Sequence, residues 1–290
     1  MKMIKKPSWL KVKLPSGDRY KQVKHLKNSL NLVTVCEEAR CPNLEECWNE
    51  KHATFMLLGK ECTRNCNFCS VGFNKYPVFQ GDDEARRISL AVSDLELKYC
   101  VLTSVTRDDL EDGGASVFAE TIKQIRQKNP DTLIELLVPD FQGNKLSMDL
   151  VLNSRPSVIG HNLETSRQLH NRVRPHANYD MSLKVLRYFK DKDPLMVTKS
   201  SFMVGLGETD KDVKEMLVDL KKVSVDIVYI GQYLQPAKHS LKVSRYVEEK
   251  LFDEYREFGE SLGIKTIKSG SLVRSSYMAL QSYLKVISNL

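Results

Sequence analysis

Six of the seven cysteines fall between positions 36 and 69. They form two triplets: Cys36-x4-Cys41-x5-Cys47, in CEEARCPNLEEC, and Cys62-x3-Cys66-x2-Cys69, in CTRNCNFC. Each triplet brings three soft thiolates close together along the chain, and such ligands suit iron–sulfur clusters or zinc. A structural zinc site wants four ligands and no open position. Neither triplet supplies a fourth cysteine, and His52 is the only nearby imidazole. A single zinc site using four of the six would leave two reactive thiols over. Three thiolates suit a cubane iron–sulfur cluster, whose fourth iron then stays open to a substrate or a weaker ligand. A zinc protein acting as a binding module is the competing reading. Cys100 stands apart in the apolar stretch YCVLTSV and reads as a small buried hydrophobe. His52, His161 and His176 lack metal-ligand spacing, and no metal role is assigned to them.

These cysteines must be held by a scaffold, and the 290 residues are enough for one large domain or two modest ones. Hydrophobic residues make up 41% and charged residues 28%, as in ordinary globular proteins. No apolar run exceeds four residues, which excludes a membrane-spanning helix. The start, MKMIKKPSWL, lacks the apolar stretch of a signal peptide. A cytoplasmic, reducing location follows as the expectation, and there clustered cysteines favour metal over disulfides.

After the second triplet, strand-like and helix-like segments alternate. Strands are expected over residues 54–58, 99–105, 132–138, 157–161, 196–204 and 226–230, with a last candidate at 264–267. Helices are expected over 82–97, 115–129, 179–190, 209–223 and 247–262, the last closed by Gly263. Strands each followed by a helix imply parallel pairing. Six units are too few for a closed eight-stranded barrel. The expected fold is therefore α/β, a partial (βα)6 TIM-like barrel, with catalytic groups on loops at the strands' C-terminal ends. The second triplet meets that expectation, since it follows the first strand. Residues 1–52 read as an N-terminal extension, 53–263 as the barrel and 264–290 as a C-terminal extension.

Charge is localised. The net +7 is concentrated in residues 1–27, which hold nine Lys or Arg against Asp18 alone. Either this arm is a solvated terminus, or it docks an acidic partner by electrostatic steering. With only Trp9 and Tyr20 to stack bases, it argues against nucleic acid.

Cys-x3-Cys-x2-Cys after the first strand of such a barrel resembles the radical S-adenosylmethionine (SAM) superfamily, where an aromatic often precedes the third cysteine, as Phe68 does here. Beyond it, CEEARCPNLEECW, TSVTRDDLEDGGA, VRP, MVGLGET, QYLQPAKHSLKVSRYV and RSSYMA together resemble the lipoyl synthase family, from about residue 7 to the C-terminus. The resemblance implies a radical SAM barrel with both extensions lying over its open mouth. It implies a 4Fe–4S cluster on Cys62, Cys66 and Cys69 whose open iron chelates SAM and which cleaves it to a 5′-deoxyadenosyl radical. It implies an auxiliary 4Fe–4S cluster on Cys36, Cys41 and Cys47, consumed as the sulfur donor. The product is a lipoyl group, made by inserting two sulfur atoms at C6 and C8 of a protein-bound octanoyl-lysine, with two SAM molecules used.

In the family, a serine of the RSSY motif completes the auxiliary cluster. Ser275 and Ser276 both qualify, and Ser276, beside Tyr277, is preferred; the competing role for either is to cap a C-terminal helix. Asn162 and Glu164, in HNLET, are candidates for binding the ribose or amino group of SAM, or else form a loop turn. Gly205 and Gly207 allow close backbone approach to a ligand, or else shape a turn. Arg107, Asp108 and Asp109 are expected to shape the substrate entrance. The implied partners are octanoylated acceptor domains (2-oxoacid dehydrogenase E2 and glycine cleavage H protein), an electron donor such as ferredoxin or flavodoxin, and an iron–sulfur carrier. Met278 stands where the family more often has His. Other sulfur-inserting radical SAM enzymes fit less well: a tRNA methylthiotransferase would carry a C-terminal RNA-binding domain, and only about 25 residues follow the last strand candidate.

Overall fold

The structure is a computed structural model that describes residues 5–8, 10–11, 16–50, 52–78 and 83–288. Trp9 and the expected helix start at Asp82 lie outside the described residues.

The chain divides into two compact units. One comprises Val12–Arg64 and Val71–Ile159, the other Met1–Lys11, Asn65–Ser70 and Gly160–Leu290. In chain order the first unit holds α1 (Asp18–Ser29), α2 (Val35–Glu38), α3 (Leu44–Asn49), β1 (Thr54–Leu57), β2 (Glu61–Cys62), β3 (Gly72–Phe73), α4 (Glu84–Asp94), β4 (Tyr99–Ser104), α5 (Ala115–Lys128), β5 (Leu133–Leu137) and α6 (Lys145–Asn153). β6 (Val158–Gly160) lies at the division. The second unit continues with α7 (His170–Val173), α8 (Tyr179–Lys192), β7 (Val197–Val204), α9 (Asp210–Lys222), β8 (Ile227–Gln232), α10 (Glu249–Ser261), β9 (Thr266–Gly270) and α11 (Ala279–Ile287).

The strand order of the main sheet is β1-β4-β5-β6-β7-β8-β9, and β2 pairs with β3 apart from it. β1–β4, β4–β5, β7–β8 and β8–β9 all pair in parallel. Every residue of β1 and of β8 is buried. That is the condition of a parallel strand covered on both faces, and it explains the short unbroken apolar runs in the sequence. The sheet has seven strands rather than six: β9 joins it, starting two residues after the expected 264. α6 was not expected. Asn144 starts it, its side chain accepting from the Leu146 and Ser147 N–H groups.

Helix ends follow local chemistry. Thr209 and Asp212 form a reciprocal capping box at the start of α9. Gly263, at φ 87°, follows α10 in the left-handed conformation expected of a C′ glycine. In the first unit, Phe55, Leu57, Ile88, Val92, Leu102, Phe118 and Ile122 are buried to 2% exposure or less. In the second, Phe202, Met216, Leu217, Ile230, Phe252 and Tyr255 form one core cluster. Cys100, in β4, is fully buried, and burial pushes its thiol well up, as a core role requires. No helix among the described residues is long and apolar enough to cross a membrane.

Candidate metal centres and cofactor site

Cys36 lies on α2 and Cys47 on α3, with Cys41 on the turn between them. The turn is tight: the Cys41 N–H donates to the Cys36 carbonyl at 2.9 Å, and the Cys47 N–H to the Asn43 carbonyl at 2.9 Å. Burial pushes the Cys36 thiol up to about 11, and the neighbouring Cys41 adds to the shift. Bound iron reverses this, because a coordinating thiol is deprotonated outright. Trp48 is fully buried, and its side chain hydrogen-bonds the Cys36 thiol, which pulls that thiol back down against the effect of burial. A buried indole N–H beside Cys36 fits a cluster, whose sulfurs accept hydrogen bonds. α1 braces this segment, since Tyr20 stacks on Trp48 with ring centroids 5.2 Å apart, and Asn49 Oδ1 accepts the Tyr20 N–H.

Among the described residues, no three His, Cys, Asp or Glu side chains are grouped to hold one metal ion. None of the seven cysteines is in a disulfide.

The second triplet follows β1. Cys62 closes β2, and its sulfur accepts the Arg64 N–H at 3.4 Å. Arg64, between Cys62 and Cys66, is the largest feature that sequence reasoning missed. Its guanidinium grips both Asp108 oxygens at 2.7 and 2.8 Å and both Asp140 oxygens at 2.6 and 2.7 Å. Thr63 adds to the same fastening: its N–H and hydroxyl both donate to the Thr106 carbonyl at 3.0 Å. The segment bearing Cys62 is thus locked to the loops after β4 and β5. Removing one partner of a buried pair costs about 3–5 kcal/mol. Arg64→Met, which leaves Asp108 and Asp140 facing each other, should lower unfolding free energy by about that amount in urea titration; a loss under about 1 kcal/mol would contradict a buried, load-carrying pair.

In the second unit the Cys69 N–H donates to the Cys66 carbonyl at 3.0 Å, closing a turn. Asn67 pins that turn, donating from its backbone to the Val173 carbonyl and from Nδ2 to the Arg172 carbonyl, while its own carbonyl accepts the Leu241 N–H. Phe68 packs against the cluster of Val173, Leu206 and Tyr233. Burial raises the Tyr233 hydroxyl's pKa, and Cys69 raises it further, which places Tyr233 beside that cysteine.

Asn162 Nδ2 donates to Glu164 Oε1 at 2.9 Å, and Arg174 Nη1 donates to the Asn162 carbonyl at 3.1 Å. Burial pushes the Glu164 carboxyl up, against the pull of Arg174 and Asn162. The MVGLGET loop is organised by a residue not singled out in the sequence, Glu208. Its buried carboxylate accepts the N–H groups of Gly205, Leu206 and Gly207 at 2.6, 2.9 and 3.1 Å. Gly205 and Gly207 sit at φ 98° and 120°, and a Cβ at Gly205 would strike Gln232 and the Arg245 carbonyl. The turn therefore requires its glycines, and its N–H groups are held by Glu208, which leaves their bare Cα faces as the surface a ligand could approach.

Arg107 and Asp109 pair bidentately at 2.8 Å past the end of β4. The double glycine that follows starts α5, where Asp112 accepts the Gly114 and Ser116 N–H groups at 2.8 Å. Ser275 and Ser276 lie half-buried in a turn before α11. The cap position of α11 is Met278, in the left-handed conformation, and no side chain caps the helix there. Neither serine occupies that cap position.

Comparison with known proteins fits this geometry. The radical SAM superfamily signature matches residues 56–220, and that of the N-terminal domain of lipoyl synthase matches residues 2–41. A lipoyl synthase of Caldicellulosiruptor bescii is 50% identical over 279 residues, 96% of each chain. A mitochondrial lipoyl synthase of Nematostella vectensis is 46% identical over 274 residues, 94% of each. Among solved structures, methylornithine synthase superposes with a TM-score of 0.56 at 12% identity, covering 87% of this chain and 85% of that one. Streptococcus suis SuiB bound to S-adenosylmethionine gives 0.59 at 11%, covering 87% of this chain and 61% of that one. These likenesses concern fold, the partial barrel of radical SAM enzymes. Identity over nearly the whole chain carries the assignment further: the chain belongs to the lipoyl synthase family of radical SAM enzymes, which use SAM and 4Fe–4S clusters.

Proposed function

We propose that the two cysteine triplets hold two separate 4Fe–4S clusters and divide the reaction between them. Cys62, Cys66 and Cys69 hold the cluster that takes SAM. Cys36, Cys41 and Cys47 hold the auxiliary cluster, with Ser276 as its fourth ligand. When bound, these groups supply what no side chain has: a radical able to open an unactivated C–H bond, and the sulfur that replaces the hydrogen. The residues of the chain do the positioning. Arg64 fixes the Cys62 segment, Asn67 fixes the Cys66–Cys69 turn, and Glu208 holds the 205–207 loop closed. Asn162 and Glu164 bind the polar end of SAM, with Phe68, Gly205 and Gly207 forming the wall around it. The substrate is a protein-bound octanoyl group, carried by 2-oxoacid dehydrogenase E2 or glycine cleavage H protein. A ferredoxin- or flavodoxin-type donor supplies electrons, an iron–sulfur carrier restores the auxiliary cluster, and the setting is cytoplasmic. The division of the chain into 1–52, 53–263 and 264–290 assigns the auxiliary cysteines and the serine to the two extensions.

The observation that carries this reading is that the triplets lie in two distinct local frameworks, one braced by α1 and one by Arg64 and Asn67. Protein purified anaerobically should absorb broadly near 400 nm and carry about eight iron and eight sulfide per chain, four of each per cubane. A colourless protein with stoichiometric zinc would contradict it.

The basic segment supports an acidic acceptor domain. From Asp18 onward it is helical, and Lys5, Lys6, Lys11, Lys21 and Lys24 are exposed. Changing all five to Gln should slow turnover of an octanoylated domain more than that of an octanoyl-lysine peptide. The difference should shrink with salt, since exposed charges are screened within roughly 8–10 Å at 0.1–0.15 M. Equal, salt-independent losses on both substrates would leave the lysines no docking role.

A further inference from the structure

Gly231 stands inside β8, where a glycine weakens the strand unless something needs its bare Cα. Its φ is not positive, so its own conformation does not require glycine. Space does. A Cβ at this position would stand 2.1 Å from the Val273 carbonyl oxygen and 3.3 Å from Arg274 Nη1. The nearer obstacle is backbone, not a side-chain tip that could swing aside. Val273 immediately precedes the RSSY motif, which Arg274 opens. The segment carrying Ser275 and Ser276 therefore rests directly on the one β8 residue that has no side chain to hold it off.

Other contacts tie the same segment to the same face of the sheet. Val228 and Ile230 pack with Met216 of α9 and Phe252 of α10, so positions 229 and 231 face the other way. On that side Tyr229 Oη lies 2.6 Å from Ser282 Oγ of α11. Lys268, paired with Tyr229 across β8 and β9, holds its ammonium 4.8 Å from the centre of the Tyr277 ring. Between these contacts the chain is closed by its own backbone. The Val273 N–H donates to the Gly270 carbonyl at 3.1 Å, and the Tyr277 N–H to the Arg274 carbonyl at 2.9 Å. Ser275 and Ser276 thus lie between two fixed points, Val273 on Gly231 and Tyr277 over Lys268.

We propose that Gly231 is the seat of the RSSY turn and, with Lys268, sets where Ser276 stands; both are positioning residues for the auxiliary cluster. This rests on the serine ligand proposed above and adds what fixes it in place. Ordinary contacts begin near 3.5 Å, so Gly231→Ala would drive the Val273 carbonyl back by about 1 Å or more. A misplacement of that size can cost about a hundredfold in rate. The test reads the turn by hydrogen exchange of the amides in residues 271–278, followed by mass spectrometry on cluster-loaded protein. It reads the two chemical steps by 5′-deoxyadenosine and lipoyl peptide formed from SAM and an octanoyl-lysine peptide. Gly231→Ala should exchange about fivefold faster or more across the turn, as overpacking warrants. It should form lipoyl peptide about a hundredfold more slowly while 5′-deoxyadenosine formation is retained. Lys268→Met, which keeps the stem and loses the charge, should shift both readouts the same way. Lys268→Arg should restore them, since a guanidinium serves over a ring as an ammonium does. Unchanged exchange or full lipoyl formation by folded Gly231→Ala overturns the proposal. Equal loss of both products also overturns it, since that marks a merely structural glycine. If Gly231→Ala does not fold, the Lys268 pair decides: unchanged exchange in Lys268→Met, or no recovery in Lys268→Arg, overturns it. Full lipoyl formation by both Ser275→Ala and Ser276→Ala would instead contradict the serine ligand, and the exchange readout then still decides whether Gly231 seats the turn.

Discussion

Cys66→Ala is expected to abolish formation of 5′-deoxyadenosine from SAM and to lower the iron content by about half, as loss of one cubane of two requires. The substitution removes one of three thiolates from the proposed SAM-binding cluster, and the chain offers that cluster no replacement. Cys100 is fully buried in β4, with its thiol pushed well up, and is not a reserve ligand. The fold should survive. The turn at Cys66 is held by the backbone bond from Cys69, and Asn67 anchors it to Val173, Arg172 and Leu241, none of which involves the Cys66 sulfur. The loss should therefore be chemical, with the melting temperature of the metal-free protein unchanged. The matching changes at Cys36, Cys41 or Cys47 should do the opposite, keeping SAM cleavage and stopping sulfur insertion. Residual 5′-deoxyadenosine from Cys66→Ala, or loss of both activities in a folded Cys41→Ala protein, would show that the triplets are wrongly assigned.

Ser276→Ala is expected to stop lipoyl formation while retaining SAM cleavage. Three cysteines leave one iron of the auxiliary cluster to be closed, and an alkoxide is a harder ligand than a thiolate, so iron leaves it more readily. A labile iron suits a cluster that must be dismantled to give up its sulfur. Ser276→Cys should then build a sound cluster and yet donate sulfur slowly, since the iron is held harder. A capping serine predicts something else, a stability loss of about 0.5–2 kcal/mol with turnover intact. The cap position of α11 is Met278, two residues past Ser276, and its side chain makes no cap bond. Full lipoyl formation by Ser276→Ala would remove it as ligand and direct the same pair of substitutions to Ser275.

The strands were legible because parallel strands are buried on both faces, and TFMLL or DIVYI show it as short apolar runs. The helix starts at Thr209 and Ala115 were legible because capping is a local event. α6 was not, since its start rests on a single Asn144 side chain and its apolar face is short. The two residues that organise the site loops escaped notice for different reasons. Arg64 meets Asp108 and Asp140 across 44 and 76 residues of chain, a pairing that no local pattern encodes. Glu208 stands beside the glycines it serves, but acidic residues so often open helices that its inward turn carried no signal. The cysteine spacing spoke for clusters unaided. The serine spoke only through the family resemblance, because a lone hydroxyl has many ordinary uses.

The claim most exposed to test is that the cluster on Cys36, Cys41 and Cys47 is the sulfur source. Protein whose clusters are reconstituted with 34S-sulfide, freed of excess sulfide, should be given SAM, reductant and an octanoyl-lysine peptide for one turnover, and the lipoyl peptide weighed by mass spectrometry. Both inserted sulfur atoms should carry the label, and Cys41→Ala protein should give no lipoyl peptide. Unlabelled lipoyl peptide, or labelled product from Cys41→Ala, would contradict the assignment.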